Sequence, residues 1–146
     1  MEVDFLKGKR IASIDFGLKR VGVAICDELH ISITPYKVFD YTSKNFWEDF
    51  ITFVKKENIS ALVVGYPFRK DNLSTEVTRE IDNFLEILKS KLGLMVFTFD
   101  ESFSTKRAER LMIDLGKKKK ERRRKENKDL ISAAIILRDF IQENNL

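Results

Sequence analysis

The apolar pattern of this chain changes period between Asp40 and Phe46, and that change restricts the folds open to it. Before it, apolar residues come in short runs separated by turn residues; after it, they recur at helical spacing. Arg10 to Ile14 and Val21 to Cys26 predict two strands, joined by a turn over Phe16-Gly17-Leu18-Lys19-Arg20. A polar turn from Asp27 to His30 leads to a third strand from Ile31 to Phe39, where Pro35 implies an edge position or a break. Three strands with short connections make an antiparallel meander.

Phe46, Phe50, Phe53 and Val54 share one helical face, which predicts a helix from Ser43 to Glu57 with Ser43 as its cap. Ala61 to Val64 is a short strand ending at Gly65. Val77, Ile81, Phe84, Leu85, Leu88 and Leu92 mark a long helix, and Gly93 is placed to end it. Leu94 to Phe99 is a fifth strand. Ala108, Leu111, Met112 and Leu115 mark a helix from near Ser104 to Gly116, and a last helix runs from about Lys128 to Gln142. The order βββαβαβαα predicts an α/β fold, a mixed five-stranded sheet with helices on both faces. At 146 residues, one domain over 1–146 is expected.

Composition removes several chemistries. Cys26 is the one cysteine, so no internal disulfide and no cysteine zinc site can form. Its apolar run predicts a small core residue. His30 is the one histidine and is expected at the surface of a turn. Chemistry needing two histidines is excluded, and no Ser-His or Cys-His pairing is evident. With no signal peptide and no apolar run of membrane length, a cytoplasmic location away from membranes is expected.

The net charge of +4 is uneven. Residues 117–128 hold nine cations, Lys117, Lys118, Lys119, Lys120, Arg122, Arg123, Arg124, Lys125 and Lys128, against two acids. Such a run suits a polyphosphate partner, although a solvated loop is the plainer alternative. Lys19 and Arg20 in the first turn, and Arg69 after the fourth strand, are further candidates for phosphate contact.

Three acids stand in or beside apolar segments. Asp15 follows Ile11-Ala12-Ser13-Ile14, Glu101 follows Leu94 to Asp100, and Asp129 opens Leu130-Ile131-Ser132-Ala133-Ala134-Ile135-Ile136-Leu137. A buried unpaired carboxylate costs several kcal/mol or gives up its charge. Each acid has a local explanation: Asp15 as an Asx turn before Gly17, Glu101 as a cap, Asp129 as an acid at a helix start. Together they suit a hard dication, Mg²⁺ or Mn²⁺. Sites in open α/β sheets gather at the carboxyl ends of parallel strands. If strands one and five are parallel neighbours, Asp15 and Glu101 meet there. Asp129 shares a helix face with Ala133, Ile136, Leu137 and Phe140, so it faces inward. Three such carboxylates can hold one or two ions for phosphodiester cleavage, with two ions roughly 3.5–4 Å apart.

Four segments carry a resemblance. Asp15-Phe16-Gly17-Leu18-Lys19-Arg20-Val21-Gly22-Val23-Ala24, Val63-Val64-Gly65-Tyr66-Pro67, Asp100-Glu101-Ser102-Phe103-Ser104-Thr105-Lys106-Arg107-Ala108-Glu109 and Lys128-Asp129-Leu130-Ile131-Ser132-Ala133-Ala134-Ile135-Ile136-Leu137 resemble, in order, the motifs of the YqgF family. That family is described as Holliday-junction-resolvase-like or as nucleases of pre-16S ribosomal RNA. The resemblance implies an RNase H-like fold and makes Asp15, Glu101 and Asp129 the metal-binding catalytic acids. It implies a Mg²⁺-dependent nuclease on structured RNA, trimming the 5′ end of pre-16S rRNA. No dimer interface is legible in the sequence, and a monomer or weak homodimer is expected. Ser102 departs from the family, which often has a basic residue there. A resolvase of branched DNA and a non-catalytic nucleic-acid-binding module remain as alternatives. An actin-like ATPase needs two such halves and does not fit one domain.

Overall fold

A computed structural model describes residues 3–66, 75–100 and 125–146. The strands are β1 (Arg10–Phe16), β2 (Arg20–Cys26), β3 (Ile33–Asp40), β4 (Ile59–Tyr66) and β5 (Met95–Asp100). The helices are α1 (Phe46–Lys56), α2 (Thr75–Leu92) and α3 (Lys125–Glu143). The five strands lie in the order β3-β2-β1-β4-β5. β3, β2 and β1 pair antiparallel, while β1, β4 and β5 run parallel. The mixed α/β sheet predicted from the periodicity is the one observed. The helix expected between Ser104 and Gly116 lies outside the described residues.

The alternation of side chains along each strand divides the interior into two layers. On one face Ala12, Ile14, Val21, Val23, Leu62 and Val64 pack with Phe46, Phe50 and Phe53 of α1 and Ile81, Phe84 and Leu88 of α2. On the other, Ile11, Ala24, Ala61, Val63 and Phe97 pack with Ala133, Ile136, Leu137 and Phe140 of α3. The aromatic residues concentrate in the first layer. The Phe84 ring lies 4.6 Å from Phe16 and 5.5 Å from Trp47, centroid to centroid.

The edge strand β3 carries Pro35 where the ladder slips. Val23 pairs with Lys37 but Ala24 pairs with Pro35, so Tyr36 is the extra residue of a bulge. A proline and a bulge both hinder pairing of that edge with another chain.

Local details depart from expectation. Ser43 does not cap α1. Asn45 stands at the cap position without a side-chain hydrogen bond, and Ser43 Oγ instead accepts from the Asn45 N–H in the preceding turn. His30 is buried rather than exposed, in a left-handed conformation with φ 59°, and its Nε2 lies 2.7 Å from the Lys9 carbonyl oxygen. The hydrogen bond ties the β2–β3 turn to the start of β1 and offsets the cost of burying the ring. Cys26 is buried as predicted, and burial is the main cause that pushes its thiol above the usual range. No described helix is long and apolar enough to cross a membrane.

Phe84 is fully buried among aromatic rings, whereas Leu29 is 72% exposed. Phe84→Ala is expected to cost about 3–5 kcal/mol in urea denaturation. Leu29→Ala should stay within about 0.5 kcal/mol of wild type.

Candidate active site

The chain turns sharply after β1. The Gly17 N–H donates to the Arg20 carbonyl at 2.9 Å, closing a hairpin with Leu18 and Lys19 at its tip. A Cβ on Gly17 would lie 2.8 Å from that carbonyl oxygen, so the turn leaves no room for a side chain. Lys19 is exposed at the tip, and its carbonyl accepts from the Tyr41 N–H, which anchors the turn to the end of β3. The hairpin fixes the register in which Asp15 stands opposite Gly22.

Asp15 is half-buried near the end of the central strand. Ile14 and Phe16 pack into the α1–α2 layer. Alternation therefore places Asp15 on the opposite face, with Ser13. That face is covered by α3, and the buried Ser13 hydroxyl donates to the Ala133 carbonyl. The sheet and the helix are thus joined two residues along the strand from Asp15.

Gly22 brings the second acid in. A Cβ built on it would lie 2.6 Å from the Asp129 carbonyl oxygen and 3.0 Å from the Asp129 Cβ. Backbone of α3 occupies the space a side chain would need, which is one reason for glycine inside a strand. Since Gly22 is also the partner of Asp15, Asp15 and Asp129 flank the same glycine from neighbouring strand and overlying helix. Ala133, Ile136, Leu137 and Phe140 are all buried, in agreement with the face predicted for the helix. The helix begins a turn earlier than expected, at Lys125, so Asp129 is not at its opening and the helix-start explanation weakens.

Arg20, expected to touch a nucleic-acid backbone, donates from Nε to Asp129 Oδ2 at 3.1 Å. It is two residues from Gly22, on the same face of β2. Asp40 stands across from Arg20 in the ladder. Its carboxyl lies below the usual carboxylate range because the Thr42 hydroxyl and then the Thr42 N–H donate to it. Tyr66, at the end of β4, is raised above the usual phenol range, first by burial and then by its hydrogen bond to Asp82.

The sheet order corrects one expectation. β1 and β5 are parallel but not neighbours, because β4 lies between them. Two strand spacings separate them, about 10 Å. Asp100 ends β5 opposite Tyr66, so the carboxyl ends of β1, β4 and β5 share one edge of the sheet. Glu101, Arg69, Lys117, Lys118, Lys119, Lys120, Arg122, Arg123 and Arg124 lie outside the described residues. Of Lys125 only the backbone position, at the start of α3, is described, and Lys128 is half-buried on the same helix. Among the described residues no group of three or more acidic, histidine or cysteine side chains is placed to hold a metal. Of the three acids expected from the sequence, Asp15 and Asp129 are described, both with hard oxygen donors and with Arg20 on Asp129. That donor chemistry fits Mg²⁺ or Mn²⁺ and not a soft metal.

Sequence reasoning missed Gly22 as a spacing residue and Arg20 as the partner of Asp129. An unexplained glycine between Val21 and Val23 was the available signal for the first; nothing local announced the second. Gly22→Ala is expected to destabilise by about 1–3 kcal/mol in urea denaturation. Elsewhere in a strand the same change would be neutral or favourable, so the sign reports the contact with α3.

Comparison with known proteins agrees with this frame. A family model described as RuvX, Holliday junction resolvase, matches residues 9–143. A protein of Amoebophilus asiaticus named "Putative pre-16S rRNA nuclease" is 40% identical over 134 residues, covering 90% of this chain and 93% of its own. One of the same name from Bacteroides fragilis is 34% identical over 142 residues, covering 94% and 99%. Among solved structures, Thermus thermophilus RuvC superposes with a TM-score of 0.56 at 15% identity, covering 93% of this chain and 96% of that one. RuvC in complex with a Holliday junction substrate gives 0.55 at 18% identity, covering 92% and 95%. At such identity the likeness concerns the fold, which is the RNase H-like one. The family match spans all four motifs, and the chain belongs to the RuvX (YqgF) family.

Proposed function

We propose that this protein is a divalent-metal-dependent nuclease that acts on structured RNA, with the 5′ end of pre-16S ribosomal RNA as its substrate. The observation that carries the reading is the placement of Asp15 and Asp129 on either side of Gly22, at the sheet edge where β1, β4 and β5 end. Relatives at 40% and 34% identity bear a pre-16S rRNA nuclease name, and this favours RNA over DNA. Glu101 is the third acid of the reading. In the sequence it follows Asp100, the last residue of β5.

Asp15, Glu101 and Asp129 are the residues that would hold Mg²⁺ or Mn²⁺. Such an ion supplies Lewis acidity at a phosphoryl oxygen and lowers the pKa of a bound water. The protein residues do the positioning. Asp15 is held by the hairpin register and Asp129 by the seating of α3. The cations of 117–128, with Lys19 and Arg69, grip the phosphate backbone and so carry affinity rather than sequence choice. No side-chain nucleophile is required.

Asp15→Asn and Asp129→Asn are expected to abolish cleavage of a precursor rRNA fragment in Mg²⁺ or Mn²⁺, with thermal midpoints within about 3 °C of wild type. Wild type that cuts neither RNA nor DNA in either metal would sink the proposal. Cleavage of a four-way DNA junction with no action on precursor rRNA would instead select the resolvase alternative. Binding unaffected by EDTA and by Asp15→Asn, without cleavage, would mark a binding module. Replacing Lys117, Lys118, Lys119 and Lys120 by Ala should weaken RNA binding and flatten its salt dependence, by about 0.7 in the log–log slope for each phosphate left without its cation.

A further inference from the structure

We infer that Arg20 is a positioning residue that stands in for the dication at Asp129 when the site is metal-free, and that guanidinium and metal oppose each other there. The inference deepens the metal-centre reading and rests on it. Its basis is the geometry around Gly22. The sheet and α3 hold Asp15 and Asp129 on either side of one glycine whose missing side chain is filled by helix backbone. A dication at this place would meet Arg20, which reaches Asp129 from the same face of β2, through Nε to Asp129 Oδ2 at 3.1 Å.

The pair is well placed to open. The Arg20 side chain is 36% exposed and that of Asp129 20%, so neither is locked in the core. Using Nε alone, Arg20 does not make the two-pronged grip that a guanidinium can make on a carboxylate. The ladder also offers an alternative partner, since Asp40 is directly across from Arg20 on β3. Its carboxylate is exposed, turned toward the Thr42 hydroxyl and N–H. Cross-strand neighbours lie about 5 Å apart at Cβ, within reach of an arginine. A dication arriving at Asp129 meets a positive charge that has somewhere else to go.

A purely structural Arg20 would set the stability of the metal-free protein and leave metal affinity alone. An opposing cation lowers the affinity. Removing the charge must then tighten metal binding even as it loosens the metal-free fold. Lysine, which keeps the charge, must restore the wild-type value.

The test is calorimetric titration of Mn²⁺ into full-length wild type, Arg20→Gln and Arg20→Lys, with thermal melts before and after metal. Arg20→Gln should bind Mn²⁺ about two- to fivefold more tightly than wild type, the size set by a partly exposed ion pair. Its melt should gain more on adding metal than the wild-type melt does. Arg20→Lys should stay within about twofold of wild type. Unchanged or weaker Mn²⁺ binding in a folded Arg20→Gln overturns the inference and leaves the metal centre standing. Wild type that binds no Mn²⁺ overturns both.

Discussion

The close approach of α3 to β2 at Gly22 is the contact on which the rest of the site depends. Helix backbone lies where any other residue would carry a side chain. The consequence is more than tight packing. Gly22 is the ladder partner of Asp15, so a point where helix backbone closes against the sheet is also the point around which Asp15 and Asp129 are placed. Helix docking and the placement of both acids are therefore tied at one position. The buried Ser13 hydroxyl, donating to the Ala133 carbonyl, pins the helix one turn further along.

Charge enters that arrangement from the surrounding residues as well. Arg20 supplies a cation from the strand that carries Gly22. The β1–β2 hairpin sets where that cation stands, because the Gly17 turn fixes both Asp15 and Arg20 in one register. The apolar layers do the mechanical work underneath. The aromatic cluster on the α1–α2 side holds β1 from below, while Ala133, Ile136, Leu137 and Phe140 press α3 onto the other face. Both layers set how β1 and α3 sit on either side of Gly22.

Much of this was legible in the residues. Alternating apolar runs followed by helical spacing gave the described strands and helices to within a few residues, because burial of one face leaves a periodic trace in the chain. Pro35 announced the edge strand, and the bulge at Tyr36 is its structural form. The inward face of α3 followed from the spacing of residues 129, 133, 136, 137 and 140. What failed was judged from single residues without their neighbours. His30 looked like a surface turn residue, but a carbonyl 21 positions away made its burial tolerable. Ser43 has capping chemistry, yet the chain enters α1 through Asn45.

The sequence by itself determined the order of the described elements, the faces they bury, and the acids worth watching, since these follow from local backbone geometry and from the cost of hiding charge. Only the tertiary structure decided that β4 separates β1 from β5, that Gly22 lies beneath Asp129, and that Arg20 pairs with that acid. These are choices of neighbour. They depend on sheet order and on how near two backbones can come, and distances along the chain do not encode them.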